Sequence, residues 1–576
     1  MSFKPGTYHV SAIGHNGEIP VHVTFSQERI EEITFDKLKE SSGLSDKVFR
    51  VIPKQIIEGQ TLNVDTVSGA TFSSIGLLAG VKEAVKEAGG SVSELENRPP
   101  APHAVSKDKA VKMADVLVIG GGAAGMTAAL RASELGKKVL LVEKMSFIGG
   151  AISISGGNQV VTGSRVQRRA GVEDDSPELM FQDFMKNGSD TNIDYLLKLF
   201  SENVGKATDW VNHYVLYDFP AGIHYLAEYQ KNREFAYLNG GHGFADAMRK
   251  AIKKAKIEVL LETSVQELMV EDGRVVGAIA KEVNGKIDYI GANSVIITTG
   301  GYGNNVELLS DELKKVLYYG PVSATGDGIS FASKEPVNAA LVNMDKGKIY
   351  PNGMEISPGR AKSTIAGNLV VLGENALLLN SKGQRVINEK ASNKEILEVL
   401  LKERQQMLYL FMDHKRFQLF KAKLNADGVS DNDLEKWFSQ PDQTPYLFKA
   451  NNLKDLAKKA KMNPQALIET VNRYNEFVKV GKDSDFNRQA EFLRIPIEEG
   501  PYYLVEQKPR FATTLGGLKV NKDLQVLDKD GLVIEGLYAA GETVGGVMGN
   551  DSPSGANNAW AITSGMLASE KINSKK

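Results

Sequence analysis

Gly120, Gly122 and Gly125 form a G-x-G-x-x-G spacing directly after the apolar run "VLVIG" and ahead of the helix-like "AAGMTAALRASELG". Glycines so placed permit a tight strand-to-helix turn and let backbone N–H groups face a pyrophosphate at a helix N-terminus. Ala124, inside that helix start, belongs to the same cradle. Glu143 ends the next strand-like run, 23 residues after Gly120, where a carboxylate can accept hydrogen bonds from ribose hydroxyls. Strand, glycine turn, helix and acid together specify dinucleotide binding rather than a plain strand-helix turn.

More distant pieces select FAD over NAD. Lys144 leads into "IGGAISISGG", which brings Gly149, Gly150, Ser155, Gly156 and Gly157 just after Glu143. A buried strand then ends in "TTGGYG" with Thr299, Gly300 and Gly301, and "ATGDGI" supplies Thr325, Gly326 and Asp327. Val265 joins this set, and "GLYAAGETVGG" completes it with Gly541 and Glu542.

A second site is written in "NVDTVSGATFSS", residues 63–74. The turn Ser68-Gly69-Ala70 lets backbone approach something bulky and leaves the Thr71 hydroxyl on its shoulder. Thr71 reads either as a helix cap or as an attachment point, and the two roles are compatible.

Composition removes other chemistries. The 576 residues contain no cysteine, which excludes disulfides, thiolate nucleophiles, iron–sulfur clusters and haem attached through Cys-x-x-Cys-His. The eight histidines show no metal-binding spacing, so no metal site is expected. Redox electrons must therefore travel on organic cofactors. A net charge of −2, with both signs dispersed, argues against nucleic acid or an anionic membrane as partner. No apolar run approaches the length of a spanning helix, and the N-terminus has no secretory-signal pattern, so a cytoplasmic protein is expected.

These sites need elements to hold them. Residues 1–90 read as a small α+β unit: "TYHVSAI" and "PVHVTFS" are strand-like, and 74–88 puts Ile75, Leu78, Val81 and Val85 on one helical face. Residues 91–113, rich in Pro, Ser and charge, read as a linker. The α/β dinucleotide domain runs over 114–342 and resumes at 506–576, around a charged, helix-rich lobe at 343–505.

The FAD pieces resemble the flavoprotein family of fumarate reductase, succinate dehydrogenase and 3-ketosteroid dehydrogenases, over roughly residues 114–570. That resemblance implies a Rossmann-like FAD-binding domain with an α+β clamp inserted at 343–505. It places Glu542 by the ribityl or phosphate part of a non-covalent FAD. Gly555, Ala556 and Ile562 would lie by the flavin pyrimidine edge, and Ala559 belongs to the same cofactor-binding set. Residues 1–90 resemble the FMN-binding domain that precedes this module in bacterial reductases, with the signature Asp65…Ser68-Gly69-Ala70-Thr71. In that family a flavin transferase joins FMN to the hydroxyl at the Thr71 position through a phosphoester.

The sequence departs from the fumarate reductase pattern where substrate is handled. Asn393 stands where the family carries its proton-donating arginine, and Tyr350, Thr513 and Ser552 replace other ligands of a dicarboxylate. Asparagine is no acid, and neutral side chains cannot balance two buried carboxylates. The expected substrate is an enoate or enone other than fumarate, reduced at its carbonyl-conjugated C=C bond by electrons passing from FMN to FAD. Tyr350 is the first candidate proton donor and Lys394 the second. A ketosteroid-like dehydrogenase and an electron-transfer flavoprotein are the alternatives. With no second dinucleotide fingerprint, an NADH dehydrogenase or flavodoxin-like partner is expected to supply electrons.

Protein co-produced with a flavin transferase should exceed the polypeptide mass by one FMN less water. Thr71→Val should abolish that increment, and its survival in the variant would remove Thr71 as the attachment site.

Overall fold

The computed structural model describes residues 2–13, 18–35, 46–64, 66–67, 71–99, 109–218 and 229–574. At the N-terminus, strands β1 (Gly6–Ile13), β2 (Glu18–Phe25) and β3 (Ile30–Phe35) form an antiparallel sheet in that order. Ile19, Val21, Val23 and Phe25 alternate onto the buried face of β2. Helices α1 (Asp46–Gly59) and α2 (Thr71–Glu87) supply the rest of that core. On α2 the buried positions include Leu77, Leu78, Val81, Ala84 and Val85, whereas Ile75 is 53% exposed. Leu78, Val81 and Val85 are buried as expected, and Leu77, not Ile75, joins Val81 and Val85 on that face.

The stretch 91–113 carries structure at both ends. Helix α3 (Val92–Glu96) buries Leu95, whose carbonyl accepts from the Leu62 amide at 3.0 Å. Strand β4 (Lys109–Ile119) then leads through helix α4 (Ala123–Glu134) to β5 (Val139–Val142). β4 is buried from Val116 to Ile119, as a central parallel strand must be. It lies between β5 and strand Ile287–Ile297, parallel to both. Glu258–Leu260 extends the sheet beyond β5, and Val533–Ala539 extends it, still parallel, beyond Ile287–Ile297. The carboxyl ends of all five parallel strands therefore share one edge, where open α/β sheets bind ligands.

A second, seven-stranded sheet is organised on the long strand Tyr502–Thr514. Gly347–Ser357 pairs antiparallel with it and sets Tyr350 opposite Arg510. Leu408–Asp413 and Leu447–Ala450 also pair with it, and two apolar cores flank this sheet. Beside them runs a buried ion network. Arg385 Nε and Nη2 donate to the two Glu389 carboxylate oxygens at 2.8 Å, and Nη2 also reaches Asp483 at 2.9 Å. Arg488 Nη1 donates to Glu389 at 3.1 Å, and its remaining bonds go to the carbonyls of Leu372, Glu374 and Ala376. No helix among the described residues is long and apolar enough to cross a membrane.

Removing one member of that network leaves a buried charge unpaired. Arg385→Ala should lower stability by about 3–5 kcal/mol in urea denaturation; a loss below about 1 kcal/mol would show that the network is solvated.

Candidate active site

The turns that follow β4, β5, Ile287–Ile297 and Val533–Ala539 converge on one cleft, lined among others by Gly120, Gly122, Glu143, Thr299 and Glu542. The three glycines of the first turn do different work. Gly120 has φ +104°, and a Cβ there would lie 2.5 Å from the Thr298 carbonyl oxygen. A Cβ on Gly125 would lie 1.8 Å from the Gly120 carbonyl oxygen, so α4 seats against β4 only without one. A Cβ on Gly122 would meet nothing within 4 Å. Gly122 is also the N-cap of the twelve-residue α4, whose positive dipole end opens onto the cleft beside Ala124. An open, donor-rich backbone face at a helix N-terminus fits the pyrophosphate of FAD.

Glu143 is buried and held by backbone: the Gly121 amide donates to it at 2.6 Å and the Met145 amide at 2.8 Å. Burial pushes its carboxyl above the usual range, against those two bonds. Lys144 donates to Asp327 at 2.8 Å and to the Thr325 hydroxyl, tying two cleft loops together. Gly326 precedes Asp327 with φ +69°. Gly149 and Gly150 bring their loop against the first turn: the Gly149 amide donates to the Gly121 carbonyl at 2.7 Å. Ser155 accepts from the Gly157 amide at 3.2 Å, and Gly156 faces open space. Gly157 packs on Gly240 and Gly241, while Val265 and Gly300 line the cleft directly.

Gly301 and Gly541 frame Glu542. A Cβ on Gly301 would lie 2.1 Å from the Glu542 carboxylate, which accepts from the Thr514 amide at 2.9 Å and hydroxyl at 3.0 Å. Burial pushes the Glu542 carboxyl up to about 7, against its two bonds from Thr514. On the final helix, Ala556–Ser574, the cleft-facing residues are Asn557, Asn558 and Ala561. Ala556, Ala559 and Ile562 sit one position out of phase and pack into the core. Gly555, at φ +77°, packs on the backbone of Gln159 and Val160.

Among the expected catalytic residues, Thr513 lines the cleft. Ser552 is fully buried and accepts from the Asn557 amide group at 2.9 Å. Tyr350 is half-buried; burial raises its hydroxyl, against the pull of Lys348 and Arg510. Asn393 and Lys394 open helix Asn393–Leu400 outside the cleft lining; Lys394 is exposed, with Nζ 3.5 Å from the Ser189 hydroxyl. Asp65, Ser68 and Gly69 lie outside the described residues, and of Thr71 only the backbone, at the start of α2, is described.

The sequence reading missed the charges around Tyr350. Lys348 pairs with Asp551 at 2.7 Å and lies 4.8 Å from the Tyr350 ring centre, and Arg510 lies 4.7 Å from the same ring. Their available signal was alternation: Lys348, Tyr350 and Asn352 share one face of a strand.

Gly122→Ala should leave the melting temperature of the FAD-free protein within about 1 °C of wild type yet reduce FAD retained on gel filtration. Gly125→Ala should lower both. Equal effects on the FAD-free protein would contradict this division of roles.

A family profile described as "FAD binding domain" matches residues 115–558, and one described as "FMN-binding domain" matches 14–86. The urocanate reductase of Eggerthella lenta is 32% identical over 94% of this chain and 88% of its own length. The NADH:acrylate oxidoreductase of Vibrio harveyi is 28% identical over 99% of this chain, which spans 61% of that relative. Among solved structures, the open conformation of a flavocytochrome c3 fumarate reductase matches with a TM-score of 0.65 and 30% identity, over 80% of this chain and 78% of that one. The chain belongs to this family of FAD-binding flavoprotein oxidoreductases and carries an FMN-binding domain ahead of the FAD module.

Proposed function

We propose that this protein reduces the carbonyl-conjugated C=C bond of a small enoate or enone other than fumarate. One observation carries the reading: the cleft wall formed by the second sheet, its flanking loop and the final helix presents Tyr319, Ala512, Thr513, Asn557 and Asn558, none of them charged. A dicarboxylate buried there lacks the matched cations it needs, at a cost of several kcal/mol per unpaired charge. Hydroxyl and amide donors suit a carbonyl oxygen that gains electron density during reduction. The relatives named for acrylate and urocanate support a substrate of this class.

Gly122 and the α4 N-terminus would hold the FAD pyrophosphate, Glu143 the adenosine ribose, and Thr71 the FMN. When bound, FAD would supply hydride chemistry for the alkene, with electrons reaching it by way of FMN from an external NADH dehydrogenase or flavodoxin-like donor. Thr513 and Asn557 orient the carbonyl group. Tyr350, which lies outside the cleft lining on the strand opposite Arg510, is the first candidate proton donor, and Lys394 is the second.

Oxidation of reduced viologen tests the reading with fumarate, monocarboxylic enoates and cyclic enones. The best enoate or enone should exceed fumarate in kcat/KM by at least about tenfold, and Tyr350→Phe should cut turnover by about 10²-fold or more. Fumarate as fast as the best of the panel, or no turnover of any alkene, overturns the function; undiminished turnover in Tyr350→Phe removes that residue from the mechanism.

A further inference from the structure

Five arginines are buried among the described residues: Arg233, Arg385, Arg416, Arg488 and Arg510. Four of them face carboxylates. Arg233 pairs with Asp175 and Asp183, Arg385 with Glu389 and Asp483, Arg416 with Glu374, Asp413 and Glu498, and Arg488 with Glu389. Arg510 has no such partner.

Arg510 is 1% exposed. Its Nε donates to the Asn352 carbonyl at 3.2 Å and to the Asn352 side-chain oxygen at 2.9 Å. Its guanidinium carbon lies 4.2 Å from the Tyr319 ring centre and 4.7 Å from that of Tyr350. Nη1 is buried with no hydrogen-bond partner among the described residues. Tyrosines are the groups that act on its charge, and burial works against it. Guanidinium stays protonated regardless, so the fold holds a cation that has Asn352 and two tyrosines around it, no carboxylate partner, and one unused donor. Such an arrangement is costly to a folded chain unless an anion completes it.

The place of Arg510 says which anion. It precedes Ala512 and Thr513 on the same strand, and both line the cleft. Tyr319, whose ring lies over the guanidinium, is 40% exposed and lines the cleft as well, so this one side chain stands between Arg510 and the cleft. The neighbouring cation, Lys348, is already paired with Asp551. One unmatched positive charge therefore stands behind an uncharged wall.

We propose that Arg510 is the substrate-binding residue that takes one carboxylate, which makes the substrate a monoanionic enoate rather than a neutral enone. The guanidinium donates to the carboxylate, the Tyr319 and Tyr350 rings flank the ion pair, and Asn352 fixes its orientation. This rests on the reductase reading above and narrows its substrate class. Arg510 lies outside positions 350, 393, 513 and 552, where the sequence departs from the fumarate reductase pattern.

Binding to the FAD-loaded protein tests it without turnover. Calorimetric titration compares propanoate, 3-phenylpropanoate and 3-(imidazol-4-yl)propanoate with their primary amides and with succinate. At least one monocarboxylate should bind tenfold or more tightly than both its amide and succinate. Arg510→Met should erase that preference, and Arg510→Lys should restore part of it. FAD content and melting temperature establish that the variants are folded, and the wild-type contrast needs no variant. Carboxylate and amide binding equally to the wild type, succinate binding as tightly as the best monocarboxylate, or a preference that survives in Arg510→Met overturns the assignment. An Arg510-dependent preference in a protein that reduces no alkene would sink the reductase reading while leaving the anion site intact.

Discussion

A methyl group on Gly125 would stand 1.8 Å from the Gly120 carbonyl oxygen, and the seating of α4 against the end of β4 depends on its absence. That close approach directs the helix N-terminus at the point where the parallel strands end. Glu143, the Thr299-Gly300-Gly301 turn and Glu542 arrive at the same edge because their strands run parallel to β4 in one sheet. A glycine-free turn would tilt the helix and separate these groups. The convergence of local turns that lie far apart in sequence is therefore a property of the sheet, and the glycines are its condition.

The second sheet adds a wall of different character. Its buried ion network is paired within the lobe, with Arg385 and Arg488 facing Glu389 and Asp483. At its margin with the cleft, Arg510 is the buried arginine among the described residues that faces no carboxylate. A protein interior that elsewhere pairs every buried arginine among the described residues, and leaves one unpaired beside a cleft, assigns that residue to a ligand. The uncharged lining in front of it and the single cation behind it describe one substrate chemistry from two sides.

Much of the dinucleotide site was legible in the sequence because its determinants are local. Each strand-turn unit carries its own glycine signature, and the position of Glu143 follows from one strand-helix-strand unit. Phase along a helix was less secure. Ile75 on α2 is exposed, and Ala556, Ala559 and Ile562 face the core while Asn557, Asn558 and Ala561 face the cleft. Small apolar residues at a helix start do not reveal which side carries the ligand. Arg510 was out of reach for another reason. Its partner Asn352 lies 158 residues away, and the pair meets only through the register of two strands. Pairing register at that separation depends on the whole sheet, not on either strand's composition.

FAD is expected along the edge of the parallel sheet, with a monocarboxylate held between it and the second sheet. A crystal structure of the FAD-loaded protein with a saturated monocarboxylate product tests this directly. The pyrophosphate should lie against Gly122 and the α4 N-terminus, and a carboxylate oxygen should sit about 2.7–3.2 Å from Arg510 Nη1. A product carboxylate bound elsewhere with Arg510 still covered by Tyr319, or FAD placed away from the Gly120–Gly125 turn, would contradict it.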